Sequence, residues 1–131
     1  MPDTPVRELV NYRLERANEA LDEAAMLLKA CHANAAMNRL YYACFYAVSA
    51  LLLKDGLSAV RHSGVRALFH QHYIRTKVVS EELGRRFDKF FERRQKSDYA
   101  DMARYNVNEI APLVAEANDF VKTIASLAAK V

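Results

Sequence analysis

The spacing of apolar residues near the start of the chain predicts a long amphipathic helix. From about Pro5 to about Ala30, apolar side chains recur at alternating intervals of four and three residues, which places them in one stripe. The stripe consists of Val10, Leu14, Ala17, Leu21, Ala24 and Leu28. Thr4 can cap this helix, and Pro5 suits its first position because an N–H there would have no helical partner. We expect the stripe to be buried.

The second predicted helix, from about Ala35 to about Lys54, is apolar on more than one face. Its main stripe comprises Met37, Leu40, Tyr41, Cys44, Val48 and Leu51. The other faces carry Tyr42, Phe45, Tyr46 and Leu52. A helix that is apolar nearly all round is either central in its bundle or also covered by a second chain. Gly56 suits the left-handed conformation that ends a helix.

A third, shorter helix is expected from Ser58 or His62 to Ile74, and a fourth begins at Glu81 with Ser80 as its cap. The inward positions of the third are Val65, Leu68, Phe69 and Tyr73. The buried stripe of the fourth comprises Leu83, Phe87, Phe90 and Phe91. Its basic residues fall on the opposite, solvent side, namely Arg85, Lys89, Arg93 and Lys96.

The fifth helix should start at Asn106 or Asn108 and run to about Lys130. Asn106 and Glu109 have the spacing of a capping box, whereas Pro112 favours the later start because proline is best tolerated in the first turn. Its apolar positions are Ile110, Val114, Ala117, Val121, Ile124 and Ala128. Five helices with short connections predict an all-α antiparallel bundle, and residues 1–131 are expected to form a single domain.

Composition agrees with a helical globular domain. Hydrophobic residues make up 52% and charged residues 27% of the chain, and glycine and proline number only three each. No apolar run approaches about 20 residues, and the start of the chain lacks a secretory signal pattern, so neither membrane insertion nor secretion is expected. Two cysteines, Cys31 and Cys44, are too few for a disulfide framework. We expect reduced thiols and a cytoplasmic location.

Positive charge is concentrated in the middle of the chain. The net charge is only +3, but residues 61–96 hold ten Lys or Arg against four Asp or Glu, whereas the remainder holds nine against twelve. This asymmetry favours an anionic partner, and a solvated basic face is the alternative. His62, Arg66 and His70 recur every four residues and therefore share one helix face, which is either a phosphate-contacting strip or an ordinary polar surface.

Metal and cofactor sites are not expected. No glycine-rich phosphate loop occurs, and the histidines have no cysteine or carboxylate partner at ligand spacing on their own helices. These histidines are His32, His62, His70 and His72. Neither cysteine has an adjacent histidine that would activate it, so both are interpreted as structural thiols.

The end of the fourth helix combines a guanidinium, a carboxylate and a phenol, in Arg94, Asp98 and Tyr99. Five positions on a helix place Arg94 and Tyr99 about 140° apart. Ser97 and Asp98 favour a break in the helix, which would let all three candidates line one pocket at the junction with the fifth helix. Arg94 could then hold a phosphate in two hydrogen bonds while Asp98 orients the guanidinium. The alternative is a basic helix that ends in a polar turn.

Three blocks, taken in order, resemble the HEPN superfamily, specifically its small stand-alone prokaryotic branch of the UPF0332 type. They are residues 38–47, which read NRLYYACFYA, residues 61–69, which read RHSGVRALF, and residues 94–99, which read RQKSDY. The apolar closing helix fits as well, and the match covers nearly the whole chain. The order and spacing of the blocks, rather than any single block, carry the resemblance.

The resemblance implies a helical bundle that commonly dimerises and is often encoded beside a minimal nucleotidyltransferase in toxin–antitoxin-like gene pairs. The resemblance further implies that active members of the superfamily are metal-independent endoribonucleases, in which four to six residues separate an arginine from a following histidine. This chain departs from that pattern, because no histidine follows Arg94 and Tyr99 stands at the corresponding place. Histidine exchanges protons near neutral pH, whereas tyrosine, with a pKa of about 10, is a poor base unless that pKa is strongly lowered.

Two functions therefore stay open at this point. The first is a ribonuclease with Arg94, Asp98 and Tyr99 as catalytic residues. RNA or nucleotide contacts would then come from His62, Arg66, Arg85 and Arg93. The alternative is a non-catalytic protein that binds RNA, a nucleotide or the partner nucleotidyltransferase. In related modules that partner transfers a nucleotide to a tyrosine, for which Tyr99 and Tyr105 are the candidates here.

Overall fold

The computed structural model describes residues 4–99 and 104–129, and within these ranges the chain forms five α-helices and no strand. They are α1 (Thr4–Lys29), α2 (Ala33–Lys54), α3 (His62–Phe69), α4 (Glu81–Tyr99) and α5 (Val107–Ala128). The predicted all-α bundle is confirmed. None of the helices in the described ranges has the length and apolar character needed to cross a lipid bilayer.

Helix α2 lies at the centre of the bundle and packs against α1, α4 and α5, with α3 across its middle. This position explains why it is apolar on several faces. Tyr41 is fully buried, whereas Tyr42, Phe45 and Tyr46 are each partly exposed along one side. A central position thus accounts for most of the apolar surface of α2 but leaves this aromatic row half covered.

Helix α1 buries its predicted stripe against α2 and α5. Val10, Ala17, Leu21 and Ala24 are buried, and Leu14 and Leu28 pack at the margin of the core. The helix begins at Thr4, and the predicted cap lies outside the described side chains.

The segment after α3 differs from the prediction of one regular helix to Ile74. Residues His70–Ile74 form a wider π-helical turn, in which the Arg75 N–H donates to the carbonyl of His70, five residues earlier, at 2.9 Å. This π turn packs closely on α4, where a side-chain carbon at Gly84 would lie 3.2 Å from His70 and from Ile74. Apolar periodicity could not reveal the widening, because the pattern of buried residues continues through it.

Helix α4 begins as predicted, with the Ser80 hydroxyl accepting a hydrogen bond from the Leu83 N–H at 3.2 Å. The predicted inward set is confirmed, since Leu83, Phe87, Phe90 and Phe91 are all buried. Arg85 and Lys96 are exposed as expected. Lys89 is only half exposed, because its ammonium group lies 2.7 Å from Glu116 of α5.

Helix α5 begins at Val107 with a complete capping box. The Asn106 side chain accepts from the Glu109 N–H, and the Glu109 side chain accepts from the Asn106 N–H. The earlier of the two predicted starts is therefore correct, and the later one favoured by Pro112 is wrong. Pro112 is exposed in the second turn, where water can solvate the carbonyl that lacks a helical donor. The helix ends at Ala128, two residues before the predicted end.

Candidate functional site

Arg94 lies on the face of α4 that packs against α2, and most of its side chain is buried. Its Nε atom is 2.8 Å from Oδ2 of Asp98, one turn later on the same helix, and 12% of the Arg94 side chain and 25% of the Asp98 side chain are exposed. An arginine and an aspartate four residues apart on a helix are neighbours on its surface. The carboxylate therefore fixes the direction in which the guanidinium points.

Two tyrosines of α2 complete the surroundings of Arg94. Its Nη2 atom donates to the Tyr42 hydroxyl at 3.1 Å. The guanidinium carbon lies 5.5 Å from the ring centre of Tyr41 and 5.4 Å from that of Tyr42, distances at which a cation is attracted to an aromatic face. Arg94 is thus held by a carboxylate, a hydroxyl and two aromatic rings.

A further layer of polar side chains from α2 holds Asp98 in place. The amide nitrogen of Asn38 donates to both carboxylate oxygens of Asp98, at 3.3 and 3.2 Å. The amide oxygen of Asn38 accepts from Nε and Nη2 of Arg39, at 3.2 and 3.0 Å. Arg39 also lies over the Tyr42 ring at 4.9 Å. The chain of contacts from Arg39 through Asn38 to Asp98 keeps the carboxylate facing Arg94.

His62, at the start of α3, reaches the same two tyrosines from the other side. Its Nδ1 atom is 3.0 Å from the Tyr41 hydroxyl oxygen, and its ring stacks on Phe45 with centres 4.2 Å apart. The ring also meets Tyr42 edge to face, with centres 5.6 Å apart. We call Asn38, Tyr41, Tyr42, His62, Arg94 and Asp98 the Arg94 centre.

The proton affinities in this centre follow from burial and from the guanidinium. Burial raises the pKa of Tyr41 far above its ordinary value, although Arg94 works in the opposite direction, so this phenol keeps its proton at neutral pH. Burial and the positive charge of Arg94 both lower the pKa of His62 below its ordinary value. His62 is therefore neutral at pH 7 and has one ring nitrogen that can accept a proton.

The predicted helix break before Tyr99 is wrong, because α4 continues through this residue. The Ser97 hydroxyl donates to the carbonyl of Arg94, three residues earlier, and Asp98 pairs with Arg94 along the helix, so both residues support the helix instead of ending it. The backbone thus places Tyr99 about 140° around the axis from Arg94. The side chain of Tyr99 lies outside the described part of the structure.

The other predicted contact residues lie at different distances from the Arg94 centre. Arg66 borders it, with its guanidinium 4.2 Å from the ring centre of Phe91. Arg93 is half buried and its backbone carbonyl accepts from the Tyr105 hydroxyl at 3.2 Å. Arg85 is nine positions before Arg94, about half a turn around α4 and roughly 13 Å along it. Its side chain is 71% exposed and lies 3.8 Å from Glu81.

Sequence reasoning missed the contributions of α2. Asn38 and Tyr42 are four residues apart and share the face of α2 that meets α4. Tyr42 was interpreted only as apolar surface, although a phenol on a central helix needs a polar partner for its hydroxyl. That requirement indicates that the Tyr42 hydroxyl has a polar partner, and the structure shows that this partner is Arg94.

No group of histidine, cysteine and carboxylate side chains with the geometry of a metal site occurs among residues 4–99 and 104–129. The Arg94 centre offers the held guanidinium of Arg94, the neutral imidazole of His62 and the protonated phenol of Tyr41 for chemistry. Such a set can bind an anion and move protons.

Comparison with known proteins identifies the family to which the chain belongs. The sequence profile of the HEPN domain matches residues 10–127, which is most of the chain. The chain belongs to the HEPN family. A UPF0332 protein of Thermotoga maritima is a HEPN relative that is 39% identical over 120 residues, covering 92% of this chain and 91% of the relative.

Two archaeal relatives carry the word toxin in their names. The protein named "Putative toxin MJ0605" of Methanocaldococcus jannaschii is 31% identical over 119 residues, covering 91% of this chain and 88% of the relative. The protein named "Putative toxin MJ0142" of the same organism is 33% identical over 86 residues, covering 66% of this chain and 58% of the relative. The HEPN chain described here is similar to both.

Proposed function

We propose that this HEPN protein is one component of a toxin–antitoxin-like pair and cleaves RNA without a metal ion. The observation that carries the proposal is the Arg94 centre, in which a fixed guanidinium and a neutral histidine flank the same two tyrosines. The similarity to proteins named as toxins and the excess of positive charge in residues 61–96 support it. A positive surface favours binding to the phosphates of a nucleic acid.

Arg94 would bind the phosphate at the bond to be cleaved. Asp98 and Tyr42 already hold its guanidinium, so little side-chain freedom is lost when a phosphate arrives. Donors that are oriented before the reaction stabilise negative charge that develops in the transition state, without reorganisation. Because only 12% of the side chain is exposed, the phosphate would approach one edge of the guanidinium.

His62 would take the proton of the attacking ribose 2′-hydroxyl. The 2′-oxygen then bonds to phosphorus, the bond from phosphorus to the 5′-oxygen breaks, and the leaving 5′-oxygen takes a proton from water, which gives a 2′,3′-cyclic phosphate and a 5′-hydroxyl. When Nδ1–H donates to the Tyr41 hydroxyl oxygen, Nε2 has the lone pair that a base requires. Stacking on Phe45 fixes the plane of the ring. His62 would then supply, from α3, the proton-transfer group that the superfamily pattern places a few residues after the arginine. Tyr99 is not needed for that role.

The direct test is incubation of purified protein with 5′-labelled single-stranded RNA in the presence of an excess of EDTA. We expect cleavage to continue, with a rate unchanged by the chelator, because no step of the proposed reaction uses a metal ion. The same sequence made as 2′-O-methyl RNA should stay intact, since its nucleophile is blocked. Binding of both RNAs with cleavage of neither would contradict the proposed activity and favour the non-catalytic alternative.

The cognate minimal nucleotidyltransferase remains the proposed partner. Modification of Tyr105 by such an enzyme is disfavoured, because burial raises the pKa of its phenol and the hydroxyl donates to the Arg93 carbonyl. Both features make a phenolate nucleophile at Tyr105 less accessible. Tyr99 is therefore the tyrosine we propose for nucleotide transfer.

We also propose that the chain forms a twofold dimer through the half-exposed aromatic row of α2. Arg16 of α1 extends this surface, because it contacts the hydroxyls of Tyr12 and Tyr46 at 3.4 and 3.2 Å. Tyr12 itself is 52% exposed. Aromatic and arginine side chains of this kind are enriched at protein interfaces.

Light scattering coupled to size exclusion at tens of micromolar should give twice the monomer mass of 14.9 kDa. Tyr46→Glu should shift the mass towards that of the monomer, because a carboxylate would be buried in the interface. Exposed Met26, on the same helix as Arg16 but next to another groove, offers Met26→Glu as the matched control, which should leave the mass unchanged. A monomer mass for the unmodified chain would contradict the proposed dimer.

A further inference from the structure

A second group of polar side chains lies between α3, the π turn and α4. These side chains border an open cleft of about 490 Å³. Its polar lining consists of Ser63, Arg66, His70, Gln71, Arg75 and Asp88. We call it the π-turn cleft. It is separate from the Arg94 centre, although α3 contributes to both.

The lining of the π-turn cleft is organised around one carboxylate. Oδ1 of Asp88 is 2.9 Å from Nε2 of His70 and 3.8 Å from Nη1 of Arg66. About a third of each of these three side chains is exposed, so the group reaches the surface of the cleft. The two arginines Arg66 and Arg75 carry two positive charges against the single negative charge of Asp88.

Two basic side chains of α4, Arg86 and Lys89, add little to this surplus because they are paired with acidic residues of α5. Arg86 donates to the Glu116 carbonyl and to Asp119, at 3.2 and 3.0 Å, and it also contacts Glu82 on its own helix. Lys89 is paired with Glu116. The positive excess of residues 61–96 is therefore concentrated towards α3 and the π turn, where the cleft lies.

We propose that the π-turn cleft binds a phosphate of an RNA strand at a distance from the Arg94 centre, an inference that rests on the proposed action on RNA. Arg66 connects the two places, because it lines the cleft, lies over Phe91 and is close enough to Tyr41 to influence that phenol. Positive charge thus continues from the Arg94 centre into the π-turn cleft. Such an arrangement suits the repeated phosphates of a nucleic-acid backbone. Ser63, Gln71 and Arg75 supply hydrogen-bond donors along its walls.

Two substitutions test the cleft without disturbing the core. Arg75→Ala removes an exposed cation. Ser63→Asp places a carboxylate at an exposed position in the first turn of α3, where a negative charge favours the helix while it repels a phosphate. Lys122→Ala, on the exposed side of α5, removes the same charge as Arg75→Ala outside the cleft and is the matched control.

Binding should be measured by fluorescence anisotropy with a labelled 12-nucleotide RNA made as 2′-O-methyl RNA, which the protein cannot cleave. We expect Arg75→Ala to weaken binding about fivefold and to reduce the salt dependence of log K by about 0.7, the value for one phosphate contact on a single strand. Ser63→Asp should weaken it about tenfold, with an unchanged melting temperature. Lys122→Ala should stay within twofold.

A dinucleotide of the same chemistry should bind Arg75→Ala and the unmodified protein with more nearly equal affinity than the 12-mer does, because its single internucleotide phosphate can occupy only one phosphate site at a time. If both cleft variants bind the 12-mer normally while Arg94→Ala does not, the cleft assignment is wrong and the proposed function stands. If the unmodified protein does not bind the 12-mer, both fail. Inorganic phosphate and unlabelled RNA should also be compared as competitors of the labelled 12-mer at equal phosphate concentration. Equal displacement by the two would show that the cleft binds single phosphate ions and would overturn its assignment to an RNA strand.

Discussion

Replacement of Arg94 by alanine is expected to abolish RNA cleavage. The loss should be about 100- to 1,000-fold, as for removal of one preorganised donor that stabilises developing negative charge. RNA binding should weaken by about tenfold, since a charge-assisted hydrogen bond to phosphate is lost. The measurements are single-turnover cleavage and anisotropy with the non-cleavable RNA.

The same substitution should lower the free energy of unfolding by about 1–2 kcal/mol, because the hydrogen bond to Tyr42 and the contact with Asp98 disappear. The Asp98 carboxylate would still accept hydrogen bonds from the Asn38 amide in this variant. Urea denaturation measures this loss of stability. The variant should stay folded, with the helical circular dichroism signal of the unmodified protein. Loss of helical signal for Arg94→Ala would instead mean that the residue acts in folding.

Arg85→Ala is the matched control for Arg94→Ala, because both remove one guanidinium from α4. Arg85 is exposed and about half a turn around the helix from Arg94. The RNA contact predicted for Arg85 would therefore affect binding alone, and single-turnover cleavage at saturating RNA should stay within about twofold of the unmodified rate. Equal losses of cleavage rate in the two variants would mean that the net charge of the protein, and not the position of Arg94, determines the rate. Full activity of Arg94→Ala would overturn the proposed site at its centre.

Replacement of His62 by glutamine is expected to reduce cleavage by about 100- to 1,000-fold while binding of the non-cleavable RNA changes less than threefold. Glutamine fills a similar volume and can bond to the Tyr41 hydroxyl, but it cannot accept and release a proton near neutral pH. Tyr99→Phe is the contrasting variant, since it removes the only proton that the tyrosine could donate. Loss of cleavage in Tyr99→Phe with retention in His62→Gln would assign the chemistry to Tyr99 instead.

The pH dependence gives an independent check on His62. Because burial and Arg94 lower the pKa of His62 below its ordinary value near 6.5, the base is already neutral at pH 7. The cleavage rate should therefore rise with pH below 6.5 and reach a plateau by pH 7. A rate that climbs steadily between pH 8 and pH 10 would indicate a phenol in place of the imidazole.

The lowered pKa of His62 also affects stability in a defined direction. The unfolded chain binds a proton near pH 6.5, whereas the folded chain binds it only at lower pH, so stability falls as pH decreases from 6.5 through the folded value. The melting temperature of the unmodified protein should thus drop from pH 7 to pH 5 more than that of His62→Gln. An identical fall in melting temperature for the two proteins would mean that folding does not lower the pKa of His62.

Features set by neighbouring residues could be predicted from the sequence. The stripe of Leu83, Phe87, Phe90 and Phe91, the Ser80 cap and the Asn106–Glu109 capping box all depend on positions within a few turns of one helix. One error was local as well. Ser97 and Asp98 favour a helix end when considered alone, but their bonds to Arg94 retain them in α4.

The sequence by itself thus determined the helices and their buried faces, because these follow from spacing along one helix. Arg94 and Asp98 were candidates because of their chemistry and because their block resembles the HEPN family. Only the tertiary structure decided their companions. Asn38 and Tyr42 meet this pair across separations of 60 and 52 residues, and His62 meets Tyr41 across 21. Contacts of that kind depend on how α2, α3 and α4 pack, and no pattern within a single helix specifies which of its polar atoms will meet another helix.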